Sequence, residues 1–182
     1  MLNYHLMRTL APLHFRSDCS EEKCPEYLSR MRREVPDIPQ NILQHWIFRH
    51  WRGFESNWGW LDLEQIHFEK LCYSTKVLIQ ELGTHRRDTI NYWSRVHQDN
   101  SYVRDSWLAQ SMLEQGSWPE PIIVLNNNQQ LNDPSGRPMA KLHLLEGHHR
   151  FAYLKSMYDN SPQLLLPEHE IWLLTPKTKF FM

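Results

Sequence analysis

The chain has 182 residues, 41% of them hydrophobic and 23% charged, so it can bury the core of one globular domain. Its 20 Lys and Arg against 21 Asp and Glu leave a formal net charge of −1, which disfavours attachment to nucleic acid by a bulk positive field. No apolar run approaches the roughly 20 residues of a membrane helix, and three cysteines are too few for a disulfide framework. We therefore expect a reduced, cytoplasmic protein with no membrane partner.

The first half of the chain is predicted to be helical. Asn41 is a plausible N-cap for a helix whose apolar residues recur at three- and four-residue steps as far as Trp51. The spacing of Asp62 and Gln65 resembles a capping box and predicts a long helix from there to Leu82.

Capping residues and glycines predict where the remaining helices of this half begin and end. Gly83 is expected to be the C-cap of the long helix, and Thr84 a cap for the next one, which carries Trp93. A last helix begins near Trp107 and ends at Gly116.

In the second half of the chain, the spacing of apolar residues changes from that of helices to that of strands. The apolar run 121–125 is predicted to be a buried strand, and the alternating run 141–145 a second strand paired antiparallel to it. Between them, 126–138 is rich in turn residues. Gly147 then turns the chain into a helix, and 169–175 gives a third strand.

The segment Glu146-Gly147-His148-His149-Arg150 concentrates the chemistry. The first turn of a helix has unpaired N–H groups and the positive end of the helix dipole, which together favour an anion. A glycine allows close backbone approach to a phosphate, and an arginine is a bidentate phosphate donor. The competing interpretation is a solvated helix start, with Glu146 as a surface carboxylate offset by Arg150.

The stretches Ser106–Leu125 and Leu144–Leu154 together resemble the ParB/sulfiredoxin-like superfamily, over roughly residues 101–175. The shared pattern is a helix with a small-residue ending, a Pro-Ile-x-Val strand, a hairpin, and a strand that ends in Gly-x-[His/Arg]-Arg before a helix. The resemblance implies a small mixed sheet with helices in a core of 101–182. The helical first half lies outside the resemblance apart from its last helix, and together they predict an α+β fold in which a helical N-terminal segment, 1–100, packs on this core as one compact unit.

The resemblance also implies a nucleotide site. In this superfamily the Gly-x-x-Arg element cradles nucleotide phosphates, which places cofactor binding at Gly147, His148, His149 and Arg150. Sulfiredoxins have a catalytic cysteine directly after the glycine. His148 takes that position here, so sulfinic-acid reduction is excluded.

We therefore expect a nucleotide-binding protein that uses ATP or another nucleoside triphosphate with Mg²⁺. The expected reaction is phosphoryl transfer to a small molecule or protein, or hydrolysis of the triphosphate. The candidate catalytic residues are Glu146, His148 and His149. Two alternatives stay open: a metal-dependent nuclease that uses these groups around a divalent metal, and a non-catalytic interaction protein that uses its Trp-rich helical half.

Other conspicuous residues have simpler interpretations. The tryptophans at 46, 51, 58 and 60 are expected to pack in a core rather than to form an aromatic cage or stacking platform. The arginines at 30–33 and 86–87 are expected on solvated faces, with a local phosphate patch as the alternative. Plain thiols are favoured at Cys19, Cys24 and Cys72 over a zinc site with His14.

Overall fold

The computed structural model describes residues 4–13, 21–128 and 131–177. It contains helices and a five-stranded mixed sheet, which confirms the predicted α+β class. The chain divides into two compact units. One, the helical unit, comprises 1–68 and 176–182. The other, the sheet unit, comprises 69–175, so that residues 69–100 belong with the sheet.

The helical unit has a core of aromatic and aliphatic side chains. The rings of Trp46 and Phe54 meet edge to face with centroids 4.9 Å apart, and Tyr27 packs on Phe48 at the same distance. Burial of Trp46 and Trp51 confirms that these two tryptophans pack in the core. The elements are α1 (Tyr4–Leu10), α2 (Cys24–Glu34), α3 (Gln40–Ile42), a π-helical stretch (Leu43–Phe48), α4 (Trp51–Trp58) and a 3₁₀ turn (Leu63–Gln65).

The helical unit departs from the predictions in two details. The helix predicted near Asn41 does form, but Pro39 rather than Asn41 is its N-cap, and it widens into the π-helical stretch, in which Leu43, Trp46 and Ile47 are all buried. Arg30 is not on a solvated face, because its guanidinium donates to both carboxylate oxygens of Glu22 at 2.9 and 2.7 Å.

The sheet has the strand order β1-β5-β3-β4-β2. β3 pairs antiparallel with β4 and parallel with β5, and β2 pairs parallel with β4. The predicted antiparallel hairpin and third strand are therefore confirmed. The strands are β1 (Ile66–Ser74), β2 (Leu82–Gly83), β3 (Ile122–Asn126), β4 (Leu142–Glu146) and β5 (Glu168–Pro176).

The long helix predicted from Gln65 to Leu82 is wrong. Asp62 does accept a hydrogen bond from the backbone N–H of Glu64, but it caps only the 3₁₀ turn, and β1 follows. A new helix starts where the Ser74 hydroxyl accepts from the N–H of Val77. Gly83 does not cap a helix. It lies in β2, where an added Cβ would stand 2.4 Å from the Ala140 Cβ.

The helices of the sheet unit pack around a sheet whose middle strands are covered on both faces. Four of the five residues of β3 and of β4 are buried, as is usual for strands inside a layered α/β arrangement. The helices are α5 (Thr75–Glu81), α6 (Arg87–Asp99), α7 (Ser101–Arg104), α8 (Trp107–Gln115), α9 (His148–Asn160) and a 3₁₀ turn (Pro162–Leu164). Within the described ranges, no helix combines the length and apolarity required to cross a membrane.

Candidate functional site

Gly147 joins β4 to α9, as the sequence predicts. Its φ of +101° lies in the region that side-chain-bearing residues rarely adopt. A Cβ added there would stand 2.5 Å from Cγ2 of Ile122 on β3. Both the turn and the close approach of α9 to the sheet therefore require glycine.

The first turn of α9 has no capping side chain, whereas α8 and α5 of the same unit are each capped by a serine. Ser106 caps α8 by accepting from the N–H of Ala109, and Ser74 caps α5 similarly. Gly147 has no side chain with which to cap α9. The helix has 13 residues, so its dipole and its first-turn N–H groups favour a negative charge at this end.

Arg150 braces the turn. Its Nη1 donates to the carbonyl oxygens of Glu120 at 2.7 Å and Pro121 at 3.2 Å, just before β3. Its Nη2 donates to a carboxylate oxygen of Glu146, four residues earlier. The guanidinium thus connects the end of β4, the start of β3 and α9, and Glu146 largely offsets its charge. An incoming phosphate would compete with these acceptors.

His148 turns towards the segment that follows β2. Its Nε2 lies 3.2 Å from the Thr84 hydroxyl oxygen. Burial, followed by the positive charge of Arg86, lowers the pKa of His148 to about 4. The ring is therefore neutral at pH 7. A neutral imidazole can donate or accept a hydrogen bond, but with this pKa it is a weak general base.

Further polar groups surround His148 that the sequence analysis did not single out. His143 on β4 is buried, and its Nδ1 accepts from the N–H of Ala140 at 3.3 Å. Burial, then the neighbouring His85, lowers the pKa of His143 to about 4. The two rings lie 4.7 Å apart, and Nε2 of His85 lies 3.6 Å from a carboxylate oxygen of Asp133.

Asp133 holds the loop between β3 and β4. Its carboxylate accepts from the Ser135 hydroxyl at 2.6 Å and from Nε of Arg137 at 2.8 Å. The Ser135 hydrogen bond, followed by the bonds from Arg137, keeps the pKa of Asp133 well below its usual range. No sequence signal marked His85 or His143, because strand pairing brings them together from positions far apart in the chain.

The side chain of His149 points towards α6 rather than towards Thr84, which His148 contacts. Its ring meets that of Trp93 on α6 with centroids 4.5 Å apart, and it is parallel to the ring of Tyr153 at 6.2 Å. Burial lowers the pKa of His149, while the negative charge of Glu146 raises it. The five predicted site residues therefore do not act as one cluster. Gly147 shapes the turn, and Glu146 and Arg150 pair with each other. The two histidines contact different neighbours.

Metal ligands and thiols make no second site in the described parts of the chain. No group of three His, Cys, Asp or Glu side chains there is arranged to hold a metal ion. Cys72 is exposed on β1, and Cys24 is partly exposed at the start of α2, where burial raises its pKa. His14 and Cys19, which the zinc alternative requires, lie outside the described residues.

The fold and the turn define an α+β protein with a glycine-initiated helix at the end of a sheet strand. No family model, curated protein or solved structure matches the chain. The ParB/sulfiredoxin-like resemblance therefore stays a prediction from the motif.

Proposed function

We propose that this protein binds the phosphates of a nucleotide at the first turn of α9. The observation that carries the proposal is the left-handed Gly147, which starts a 13-residue helix at the end of β4 without a capping side chain. Such a turn presents backbone N–H groups to a phosphate and adds the favourable end of the helix dipole. The Thr84 hydroxyl and the neutral His148 lie beside it as further hydrogen-bonding groups.

The positive charge at this site comes from Arg86 rather than from Arg150. Arg86 is exposed, and its guanidinium has no acidic partner among the residues that the structure describes. Its backbone N–H donates to the Thr84 hydroxyl at 3.1 Å, and that hydroxyl lies 3.2 Å from Nε2 of His148, so Arg86 is near the turn. Arg150 already donates to Glu146 and to two carbonyl groups. In this proposal Arg150 shapes the turn, and Arg86 attracts the phosphate.

The ligand expected from the resemblance is ATP or another nucleoside triphosphate with Mg²⁺. Mg²⁺ keeps several waters and is commonly held by substrate phosphates with few protein ligands, so it would arrive with the nucleotide. The reaction proposed is phosphoryl transfer to a small molecule or protein, or hydrolysis of the triphosphate. His148 would hydrogen-bond the phosphates, and His149 and Glu146 are the remaining candidates for proton transfer.

Calorimetric titration with ATP in excess Mg²⁺ tests the phosphate site. Arg86→Ala should weaken affinity about tenfold, since a charge-assisted hydrogen bond contributes about 1.5 kcal/mol or more. Arg87→Ala is the matched control, because Arg87 is the next residue, is also exposed, and does not lower the pKa of His148. It should change affinity much less.

The role of Arg150 is tested separately. Arg150→Lys keeps the charge but loses the planar fork that reaches three acceptors, so it should lower thermal stability more than Arg86→Ala does. Failure of the wild-type protein to bind any nucleoside triphosphate, in calorimetry or in a thermal-shift screen, would refute the proposed function. Equal losses of affinity for Arg86→Ala and Arg87→Ala would refute the assignment of Arg86.

A further inference from the structure

Three rings form a continuous aromatic surface next to the first turn of α9. Tyr92 meets Trp93 edge to face, with centroids 5.3 Å apart, and Trp93 meets His149 in the same way at 4.5 Å. Tyr92 is 53% exposed, His149 is exposed and Trp93 is half-buried. We call Tyr92, Trp93 and His149 the aromatic platform.

The aromatic platform packs on buried rings on one side, while Tyr92 and His149 are exposed to solvent. The ring of the buried Tyr153, one turn further along α9, is parallel to that of His149. Tyr153 also packs on the ring of His97 of α6, with centroids 4.5 Å apart. His97 is itself held by a 3.0 Å hydrogen bond with the Ser156 hydroxyl. The inner rings are therefore fixed by packing between α6 and α9, and the outer rings can accept a ligand.

His149 belongs to both the platform and the turn. Its ring contacts Trp93, and its backbone N–H is one of the first-turn donors of α9. A ligand that carries a phosphate and a flat ring could therefore touch both features at once. The surroundings disfavour an apolar partner helix, because the exposed positions of α6 around Tyr92 are Asp88, Asn91 and Arg95.

We propose that the aromatic platform stacks the base of the nucleotide whose phosphates lie at the first turn of α9. This inference rests on the proposed function and adds the part of the ligand that the platform recognises. Stacking on aromatic side chains suits every base, since each base has a π face. The platform would thus favour nucleotides over phosphate compounds that have no base.

The test compares ATP with inorganic triphosphate, both in excess Mg²⁺, by calorimetric titration of the wild type and three variants. Tyr92→Ala should weaken ATP affinity about five- to hundredfold and leave triphosphate affinity unchanged. Tyr92→Phe, which keeps the ring, should retain ATP affinity. Tyr158→Ala is the matched control, because Tyr158 is a partly exposed tyrosine near the far end of α9 and should leave both affinities unchanged.

The outcomes separate the two proposals. Wild-type protein that binds neither ligand overturns the proposed function. Wild-type protein that binds triphosphate as tightly as ATP, or Tyr92→Ala that binds ATP as tightly as the wild type, overturns the platform and leaves the phosphate site standing. Tighter binding of a short single-stranded oligonucleotide than of ATP would also overturn the platform as a mononucleotide site.

Discussion

The two compact units bury ionisable side chains in opposite ways. The helical unit buries Glu22 and Arg30 as a charged pair, with side chains 6% and 19% exposed, and the Glu22 hydrogen bond raises the pKa of Arg30. The sheet unit buries His143 and His169 as neutral rings, each 1% exposed, and burial lowers the pKa of each to about 4. A pair keeps its charges in the interior because each offsets the other, whereas a histidine can avoid the cost of burying a charge by losing its proton.

His169 shows how a neutral ring is held. Its Nε2 lies 2.8 Å from the Thr75 hydroxyl and its Nδ1 lies 2.8 Å from the Ser117 hydroxyl. The Thr75 hydroxyl also donates to the carbonyl of Leu166 at 2.9 Å, so it accepts from Nε2, and Ser117 then donates to Nδ1. Protonation would remove the acceptor that Ser117 uses. The sheet unit should therefore be the more sensitive to acid, and the helical unit the more sensitive to loss of one charge.

The largest effect is expected from Arg30→Ala. Besides Glu22, the guanidinium donates to the carbonyl oxygens of Thr9 at 2.7 Å and Ala11 at 3.0 Å, so the change leaves a buried carboxylate and two carbonyls without this donor. The free energy of unfolding in urea should fall by about 3–5 kcal/mol. Hydrogen exchange should accelerate most in peptides from residues 21–65. Arg33→Ala, at an exposed arginine, is the control. An equal loss of unfolding free energy in both variants would show that the contacts of Arg30 with Glu22 and the two carbonyls do not stabilise the helical unit.

A drop in pH should weaken the sheet unit selectively. The folded pKa of His143 and of His169, about 4, lies below the ordinary 6.5, so the unfolded chain binds more protons between these values. Stability is therefore fully present above pH 6.5 and is lost as pH falls towards 4. At pH 5 the loss is about 2 kcal/mol for each histidine.

Hydrogen exchange at pH 7 and pH 5, corrected for intrinsic rates, measures this difference. Protection should fall more in peptides from residues 120–175 than in those from 21–65. Equal loss of protection in the two units would contradict the comparison.

A smaller effect should follow from Gly147→Ala, which tests whether the sheet unit also depends on backbone shape. The alanine would be strained at φ +101° and would press on Ile122, so unfolding free energy should fall by about 2–3 kcal/mol. Gly136→Ala is the control: its φ is +82°, but nothing lies within 4 Å of an added Cβ. It should cost only about 1 kcal/mol. Equal melting temperatures for the two variants would argue against the contact with Ile122.

No effect on nucleotide affinity is expected when Cys19, Cys24 and Cys72 are all replaced by serine. The proposed phosphate site in the sheet unit contains no thiol among its described residues, and Cys72 is exposed on β1. Calorimetric titration with ATP would check this. A fall in affinity in a variant whose circular dichroism is unchanged would mean that thiols contribute to the site.

The parts of the fold that the sequence predicts well have strong local signals. The runs 121–125 and 141–145 differ by one residue at each end from the observed strands, because short apolar or alternating runs between turn residues leave few other structures open. Gly116 ends α8 with φ +66°, and Gly147 marks the strand-to-helix turn. Glycine at a sharp change of period therefore located the candidate site.

Strand β1 was not predictable in the same way, because its pattern is interrupted. Ile66 and Phe68, two residues apart, are at least partly buried, but the next partly buried residues are Leu71 and Tyr73, after two exposed residues. The step of three from Phe68 to Leu71 is typical of a helix and hides the alternation. The grouping of His85 with His143 was also hidden, since it depends on the pairing of β2 with β4. The roles of Arg30 and Arg150 depend likewise on which carbonyl groups the fold brings near.

The position of β5 in the sheet has a consequence for the order in which the protein can be assembled during synthesis. Among the described residues, β5 is made after the other four strands, yet it lies between β1 and β3. Until residue 176 has left the ribosome, the edge of β3 that faces β5 has no native neighbour, and β1 has no place in the sheet. An open strand edge attracts other chains. A nascent chain should therefore need protection until β5 is inserted, although the hairpin of β3 and β4 can form earlier.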